Sequence, residues 1–225
     1  MSSDPERPQP YDLQRADGQR LPELWGTLAE RDSADELLDM VFAELMIEAQ
    51  MRIRGGGTFH FAVSWTDTIV RCLERMMFDP VIRMFPWAQT HCWLLNDTRD
   101  DDHYIQLRDI LVPHSGIDEA NLHGADDRDE GPAIDYVMLD VGVHGRVGVL
   151  GSESAVNEIL VPVARINRAG FIGLIAMGAE VLAGLDSLEP SGSGLPVQSI
   201  RSEGGTTRWY LSGTTLDEDA EPFRD

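Results

Sequence analysis

The hydrophobic pattern changes period repeatedly along the chain. From Ser33 the apolar residues Leu37, Leu38, Val41, Phe42, Leu45, Met46 and Ala49 fall at helical spacing. Ser33 followed three residues later by Glu36 is a capping box, which sets the start of this helix. Arg52 and Arg54 suit the negative end of its dipole, and the glycines at 55, 56 and 57 stop it. Short apolar runs then alternate with amphipathic stretches. Residues 59–64 read as a strand and 67–77 as the helix after it. Residues 91–95 read as a second strand. Residues 104–112 form an amphipathic segment with Tyr104, Leu107, Ile110 and Leu111 on one face. A third strand covers 134–141 and a fourth the apolar run 172–177, entered from 165–171. A short helix follows over 180–185, and Trp209, Tyr210 and Leu211 suggest a last strand. Strands alternating with helices predict an α/β fold, a three-layer sandwich with a mainly parallel central sheet covered on both faces.

The ends of the chain lack this periodicity. Residues 1–20 are polar and proline-rich and read as a loose arm. Residues 21–216 read as a single domain and 217–225 as a frayed acidic tail. Residues 126–130 and 190–194 have loop composition. A length of 225 residues at 42% hydrophobic content suits one domain with a real core. No run of about 18 apolar residues predicts a membrane helix. The N-terminal stretch carries no apolar signal region, so a cytoplasmic location is expected. Cys72 and Cys92 form neither a disulfide framework nor a Cys-x-x-Cys pair.

Charge narrows the chemistry. The net charge is -21, from 18 basic and 39 acidic residues, and every basic residue is arginine. Without lysine there is no Schiff-base amine and no Walker-type phosphate loop. The acidic surface opposes nucleic-acid phosphates. An anionic small molecule then needs a local arginine pocket. Lysine-free acidity also suits a salty cytoplasm, or genomic base bias. Glycines at 142, 145, 148 and 151 recur every three residues, unlike a dinucleotide fingerprint, and no cofactor is expected. His91, His103, His114 and His123 look scattered among acids without metal-ligand spacing, so no metal is expected. No Gly-x-Ser-x-Gly elbow is present. Met76, Met77 and Met84 read as core fillers.

Three strand-to-loop junctions carry the candidate chemistry, because active sites of open α/β sheets lie at such strand ends. They run from Ser64 to Ile69, from Trp93 to Arg99, and from Leu139 to Arg146. Taken in order, they resemble those of the 6-phosphogluconolactonase and glucosamine-6-phosphate isomerase family. Weaker likenesses follow at 117–123, at Ile166-Asn167-Arg168-Ala169, at Gly178-Ala179-Glu180 and at 195–200, so that the resemblance spans roughly residues 33–215. It implies the same α/β fold, a place in carbohydrate metabolism of the pentose phosphate type, and a hexose 6-phosphate as ligand.

The junctions depart from the family pattern in informative ways. The first reads Ser-Gly-Gly-Ser/Thr-Thr-Pro in the family, where small residues let backbone amides approach the phosphate at a helix N-terminus. Here Ser64 and Thr68 match, and Trp65 and Thr66 replace the glycines. Trp65 is of a size to fill the pocket, and Asp67 adds a negative charge there or caps the next helix. The second junction reads Asp-Glu-Arg in the family. Asp97 and Arg99 are kept, which implies that Arg99 grips phosphate with its guanidinium fork while Asp97 orients it. The family's Ser-Asn-Tyr-like step becomes Asp102-His103-Tyr104, with only the tyrosine retained. The third reads Leu-Gly-x-Gly-x-Asp-Gly-His, whose histidine is the lactonase's general base. His144 stands where the aspartate belongs and Arg146 where the histidine belongs. Arginine stays protonated and cannot be that base, although it can supply a second fork for phosphate. The lysine that follows Glu180 in the family is Val181 here. The expected function is a degenerate relative that binds sugar phosphate. Two alternatives stay open: an active lactone hydrolase using His144 in a remodelled loop, and a protein-interaction module with a closed pocket.

Overall fold

A computed structural model describes residues 24–126, 132–147, 161–186 and 196–216. Seven strands form one sheet: β1 (Thr27–Arg31), β2 (Phe59–Val63), β3 (Thr90–Leu94), β4 (Leu122–His123), β5 (Tyr136–Asp140), β6 (Phe171–Met177) and β7 (Thr206–Ser212). Their order is β1-β7-β6-β5-β2-β3-β4, and every neighbouring pair is parallel. The helices are α1 (Ala34–Arg54), α2 (Asp67–Phe78), α3 (Asp102–Ser115), α4 (Val163–Asn167) and α5 (Ala179–Asp186).

The strand order reverses between β2 and β5. From β2 the chain steps outward to β3 and β4; from β5 it steps the other way to β6 and β7. The loops leaving these two adjacent strands therefore diverge and leave a crevice at their C-terminal ends, where such sheets hold ligands.

Side-chain alternation feeds two cores. Phe59, Phe61, Val63 and Tyr136 face Leu38, Phe42, Leu45, Ile69, Leu73 and Leu107 from α1, α2 and α3. Ala62, Val137, Leu139, Ile172 and Trp209 face Ile166, Leu182, Leu185 and Val197 on the other side. All seven positions of β6 are buried, as suits a central parallel strand covered on both faces.

The capping-box start of α1 holds: the Ser33 hydroxyl accepts the Glu36 N–H at 3.2 Å. The helix after β2 is capped by Thr66, whose hydroxyl accepts the Ile69 N–H at 3.3 Å. Asp67 is thus its first residue and not its cap. Met76 and Met77 are core residues, but Met84 is 81% exposed, because the chain leaves α2 into a short 3-10 turn that carries it outward. β1 has no counterpart in the hydrophobic pattern. Its edge of the sheet is pinned by two indoles: Trp25 donates to the Ile200 carbonyl and Trp209 to the Trp25 carbonyl, both at 2.9 Å. The arm 1–20, the tail 217–225 and most of the loops expected at 126–130 and 190–194 lie outside the described residues. Among the described residues no helix is long and apolar enough to cross a membrane. Cys72 and Cys92 are free and buried, and burial pushes the Cys92 thiol up to about 12.

Candidate functional site

The sheet order brings the three junctions to one edge. Val63, which ends β2, pairs with Leu94 of β3 on one side and with Met138 of β5 on the other. The loops that follow start side by side.

Asn96 joins the first two. Its carboxamide oxygen accepts the Trp65 N–H at 2.8 Å, and its amide lies 3.5 Å from the Trp65 carbonyl. The Asn96 side chain is buried, so both loops are held without help from solvent. The Trp65 side chain turns inward and is 8% exposed. It lies nearly parallel to the imidazole of His103, with ring centres 5.6 Å apart and planes 22° apart. Trp65 therefore fills space between the first junction and the start of α3. Ser64 is fully buried, and its hydroxyl has no hydrogen-bond partner among the described residues.

The second junction is a closed turn. The N–H and hydroxyl of Thr98 both donate to the Asp101 carboxylate, at 2.8 and 2.7 Å. The Arg99 N–H donates to Asp126 at 3.2 Å. Gly124 passes so close that a Cβ there would lie 2.8 Å from the Arg99 nitrogen, so this crossing requires glycine. Arg99 itself is exposed, with its guanidinium over the Tyr104 ring at 5.9 Å. Asp97 turns inward, and its carboxylate lies 2.6 Å from His103 Nδ1. Burial pushes the Asp97 carboxyl up, and the His103 contact pulls it back. The sequence singled out neither Asn96 nor His103 as part of the site. Their positions beside Asp97 and Tyr104 were the only signal.

The third junction places Arg146 and His144 in a tight loop. Gly142 donates its N–H to the Arg146 carbonyl at 2.8 Å, and Val141 bridges Val147 in antiparallel fashion. His144 lies in the 3-10 turn Val143–Gly145, and the Arg146 side chain is exposed. Asp140, the last residue of β5, is the unforeseen member of the site. The hydroxyls of Thr66 and Thr68 stand near its carboxylate and favour the ionised form. Burial pushes its pKa up to about 6, against the pull of those hydroxyls, and Asp67 adds to the rise. A carboxylate of the chain thus stands near the first turn of α2, at the helix end that favours anions. The signal for it was an aspartate at the first glycine of the family's Leu-Gly-x-Gly pattern.

Beside this turn lies a cavity of about 400 Å³ lined by Asp67, Thr68, Arg71, Glu74, Met177 and Thr215. Among the described residues no group of three or more His, Cys, Asp or Glu side chains is arranged to hold a metal. The histidines are less scattered than their sequence spacing suggests. On adjacent strands, His91 Nδ1 meets His123 Nε2 at 3.0 Å, and the Trp93 indole donates to His60 Nδ1 at 3.3 Å. Indole nitrogen only donates, so His60 carries its hydrogen on Nε2, toward the Thr58 hydroxyl 3.1 Å away. His60 is thereby satisfied as a neutral ring, and burial pushes its pKa down to about 4.

No protein-family model matches the chain. Over 94 residues it is 26% identical to the GDH/6PGL endoplasmic bifunctional protein of Oryctolagus cuniculus. That match takes in 40% of this chain but 12% of the relative, so the chain spans a small part of the curated protein it matches. Solved structures share the architecture far more extensively. The 6-phosphogluconolactonase of Thermotoga maritima superposes with a TM-score of 0.66 at 14% identity, over 83% of this chain and 99% of that one. The 6-phosphogluconolactonase of Trypanosoma brucei gives 0.66 at 13% identity, over 83% and 96%. A monomeric glucosamine-6-phosphate deaminase gives 0.60 at 10% identity, over 83% and 97%. The chain has the fold of the 6-phosphogluconolactonases and of this deaminase.

Proposed function

We propose that this chain is a 6-phosphogluconolactonase-like protein of carbohydrate metabolism, cytoplasmic and cofactor-free, that binds a hexose 6-phosphate and is catalytically degenerate. The observation that carries the reading is the seat of Asp140. Its carboxylate stands near the hydroxyls of Thr66 and Thr68, so an acid of the chain itself lies beside the turn that would cradle phosphate. Arg146 stands where the family's general base would be, and arginine does not accept the proton. Ligand phosphate is then left to the exposed guanidinium groups of Arg99 and Arg146. Asp67 and the net charge of -21 oppose it, so binding is weak and salt-sensitive, micromolar at best (roughly -8 kcal/mol).

Calorimetric titration with 6-phosphogluconate tests this, with Arg99→Ala and Arg146→Ala in parallel. Heat in the wild type that falls in both variants supports the assignment. No heat at millimolar ligand rejects it.

A second reading, a protein-interaction module, is favoured by a separate observation. Val81 and Met84 expose apolar side chains on the turn after α2, and Ile47 and Met51 expose theirs on α1. Recovery of a defined partner whose binding is lost on Val81→Ser with Met84→Ser, together with a silent titration, selects that reading.

A further inference from the structure

The solvent face of α1 carries a second apolar row. The packed face is the row Leu38, Val41, Leu45 and Ala49. On the opposite side Glu36, Met40, Ala43, Ile47, Met51 and Arg54 follow one another at steps of three and four, so they lie in one line. Ile47 is 55% exposed and Met51 57%, and Glu36, Ala43 and Arg54 are exposed as well. A lone exposed methionine needs no explanation, but a continuous apolar line on a surface helix marks an interaction face. A helix that is apolar on both sides is built to be covered on both.

The ends of the line carry opposite charges. Glu36 lies in the first turn and Arg54 is the last residue of α1, about 27 Å away along the axis. Among the described residues neither makes an ion pair, whereas the neighbouring Asp35 and Asp39 are taken by Arg75, and Arg52 by Asp135. Both charges suit the helix dipole, so either alone says nothing about a partner. The order along the line does. Turned end for end about a two-fold axis midway between Ala43 and Ile47, the line matches itself. Glu36 meets Arg54 of the second copy, Met40 meets Met51, and Ala43 meets Ile47, a small residue against a large one. Laid side by side in the same direction, Glu36 would face Glu36 and Arg54 would face Arg54. The pattern therefore favours one orientation. Helices crossing at about 20° with axes about 8–10 Å apart stay close enough over this length for both end pairs to reach each other.

We propose that α1 is the docking surface for a second copy of this chain, packed antiparallel through this line as a two-fold dimer. It rests on the interaction reading above only in using Ile47 and Met51, and it stands whether or not sugar phosphate binds. Each copy carries a net charge of -21, which opposes approach at low salt. At about 0.15 M salt that repulsion is screened beyond roughly 8 Å, while the apolar contacts and the close end pairs persist. One helix from each copy buries less than a large obligate interface does, so the dimer is weak and concentration-dependent.

Sedimentation velocity on the full chain, up to about 200 micromolar at about 0.15 M salt, tests this. The wild type moves from monomer to dimer as concentration rises. Ile47→Ser with Met51→Ser stays monomeric with an unchanged thermal melt, because both side chains lie at the surface. Glu36→Arg and Arg54→Glu each weaken association at least about tenfold, since each sets like charges against each other at both ends. The double variant, Glu36→Arg with Arg54→Glu, associates as the wild type does. So does an equimolar mixture of the two single variants, whose ends are complementary. A wild type that stays monomeric over the whole range overturns the proposal. So does a dimer that survives Ile47→Ser with Met51→Ser, or a double charge variant no tighter than the single ones. A dimer lost only on Val81→Ser with Met84→Ser also overturns it, by moving the contact to the turn after α2. Titration with 6-phosphogluconate bears on the ligand reading alone: its silence leaves the dimer standing, and a monomeric wild type that gives heat removes only the dimer.

Discussion

The hydroxyl of Thr68 stands near the carboxylate of Asp140, bringing the first turn of α2 to the end of β5 across the point where the strand order reverses. Asp140 is half-buried at the end of β5, and its ionised form is disfavoured there. Its pKa, about 6, lies above the ordinary carboxylate value. The folded state therefore favours the protonated form, and stability is lost as pH rises from about 4 through about 6. The full effect is at most about 3 kcal/mol. Asp140→Asn removes this dependence. Urea unfolding should show the variant more stable than the wild type at pH 7.5, with the advantage gone at pH 4. Equal stability at pH 7.5 would show that the carboxylate is not constrained.

His60 acts in the opposite direction. Its ring is neutral in the fold, with a pKa pushed down to about 4 by burial and by the neighbouring His91 and His123. The unfolded chain takes up the proton first, so stability is lost as pH falls from about 6.5 toward 4. His60→Gln should flatten that limb of the profile in the same unfolding measurement. Because Asp140 and His60 titrate in overlapping windows with opposite signs, the wild-type profile alone conceals both, and only the variants separate them.

Gly173 in β6 faces two tyrosines. A Cβ there would meet the Tyr136 hydroxyl at 2.9 Å and the Tyr210 ring at 3.1 Å. Those rings are not free to move: their hydroxyls lie 3.3 Å apart, and Tyr210 donates to Glu44 at 2.6 Å. Gly173→Ala should cost about 1–3 kcal/mol through overpacking. A thermal melt unchanged from the wild type would show that the tyrosines yield more easily than this network implies.

Asn96→Ala leaves the buried Trp65 N–H without its acceptor. Loss of about 1–3 kcal/mol is expected from the unsatisfied donor. Because Trp65 lies against His103, its fluorescence should also shift to the red as water reaches the indole. Stability loss without a spectral change would locate the damage elsewhere.

Turnover of 6-phosphogluconolactone should be on the order of 10²–10⁴ lower than that of a dedicated lactonase, the usual consequence of losing a general base. Initial rates measured beside an active lactonase decide this, and comparable rates would show that Arg146 has not displaced the function.

Much of the fold could be read from the hydrophobic pattern. β2, β3, β5 and β6 are short apolar runs because both faces of a central parallel strand are buried, and their ends marked the three junctions. β1 was hidden because an edge strand needs little apolar character: of its five residues only Ala29 is buried. β4 has two residues, too few for any period. Of the site, Ser64, Asp97, Arg99 and Arg146 could be found as strand-end residues. Asp140, Asn96 and His103 could not, since their roles arise from contacts between loops. Asn96 meets Trp65 across 31 positions, and Asp140 meets Thr66 across more than 70. Local spacing carries no trace of such meetings.

The pairing of β1 with β7 sets an order on assembly at the ribosome. Thr27 aligns with Arg208, so the first strand of the sheet has its sole neighbour nearly the whole chain later. During synthesis it must wait, unpaired, until β7 has emerged, while β2 and β3 can join soon after each is made. Contacts of such long sequence separation form slowly, and unpaired strand edges invite association meanwhile. The edge that waits longest, Thr27–Arg31, is also polar at most of its positions, which limits what it can stick to before its partner arrives.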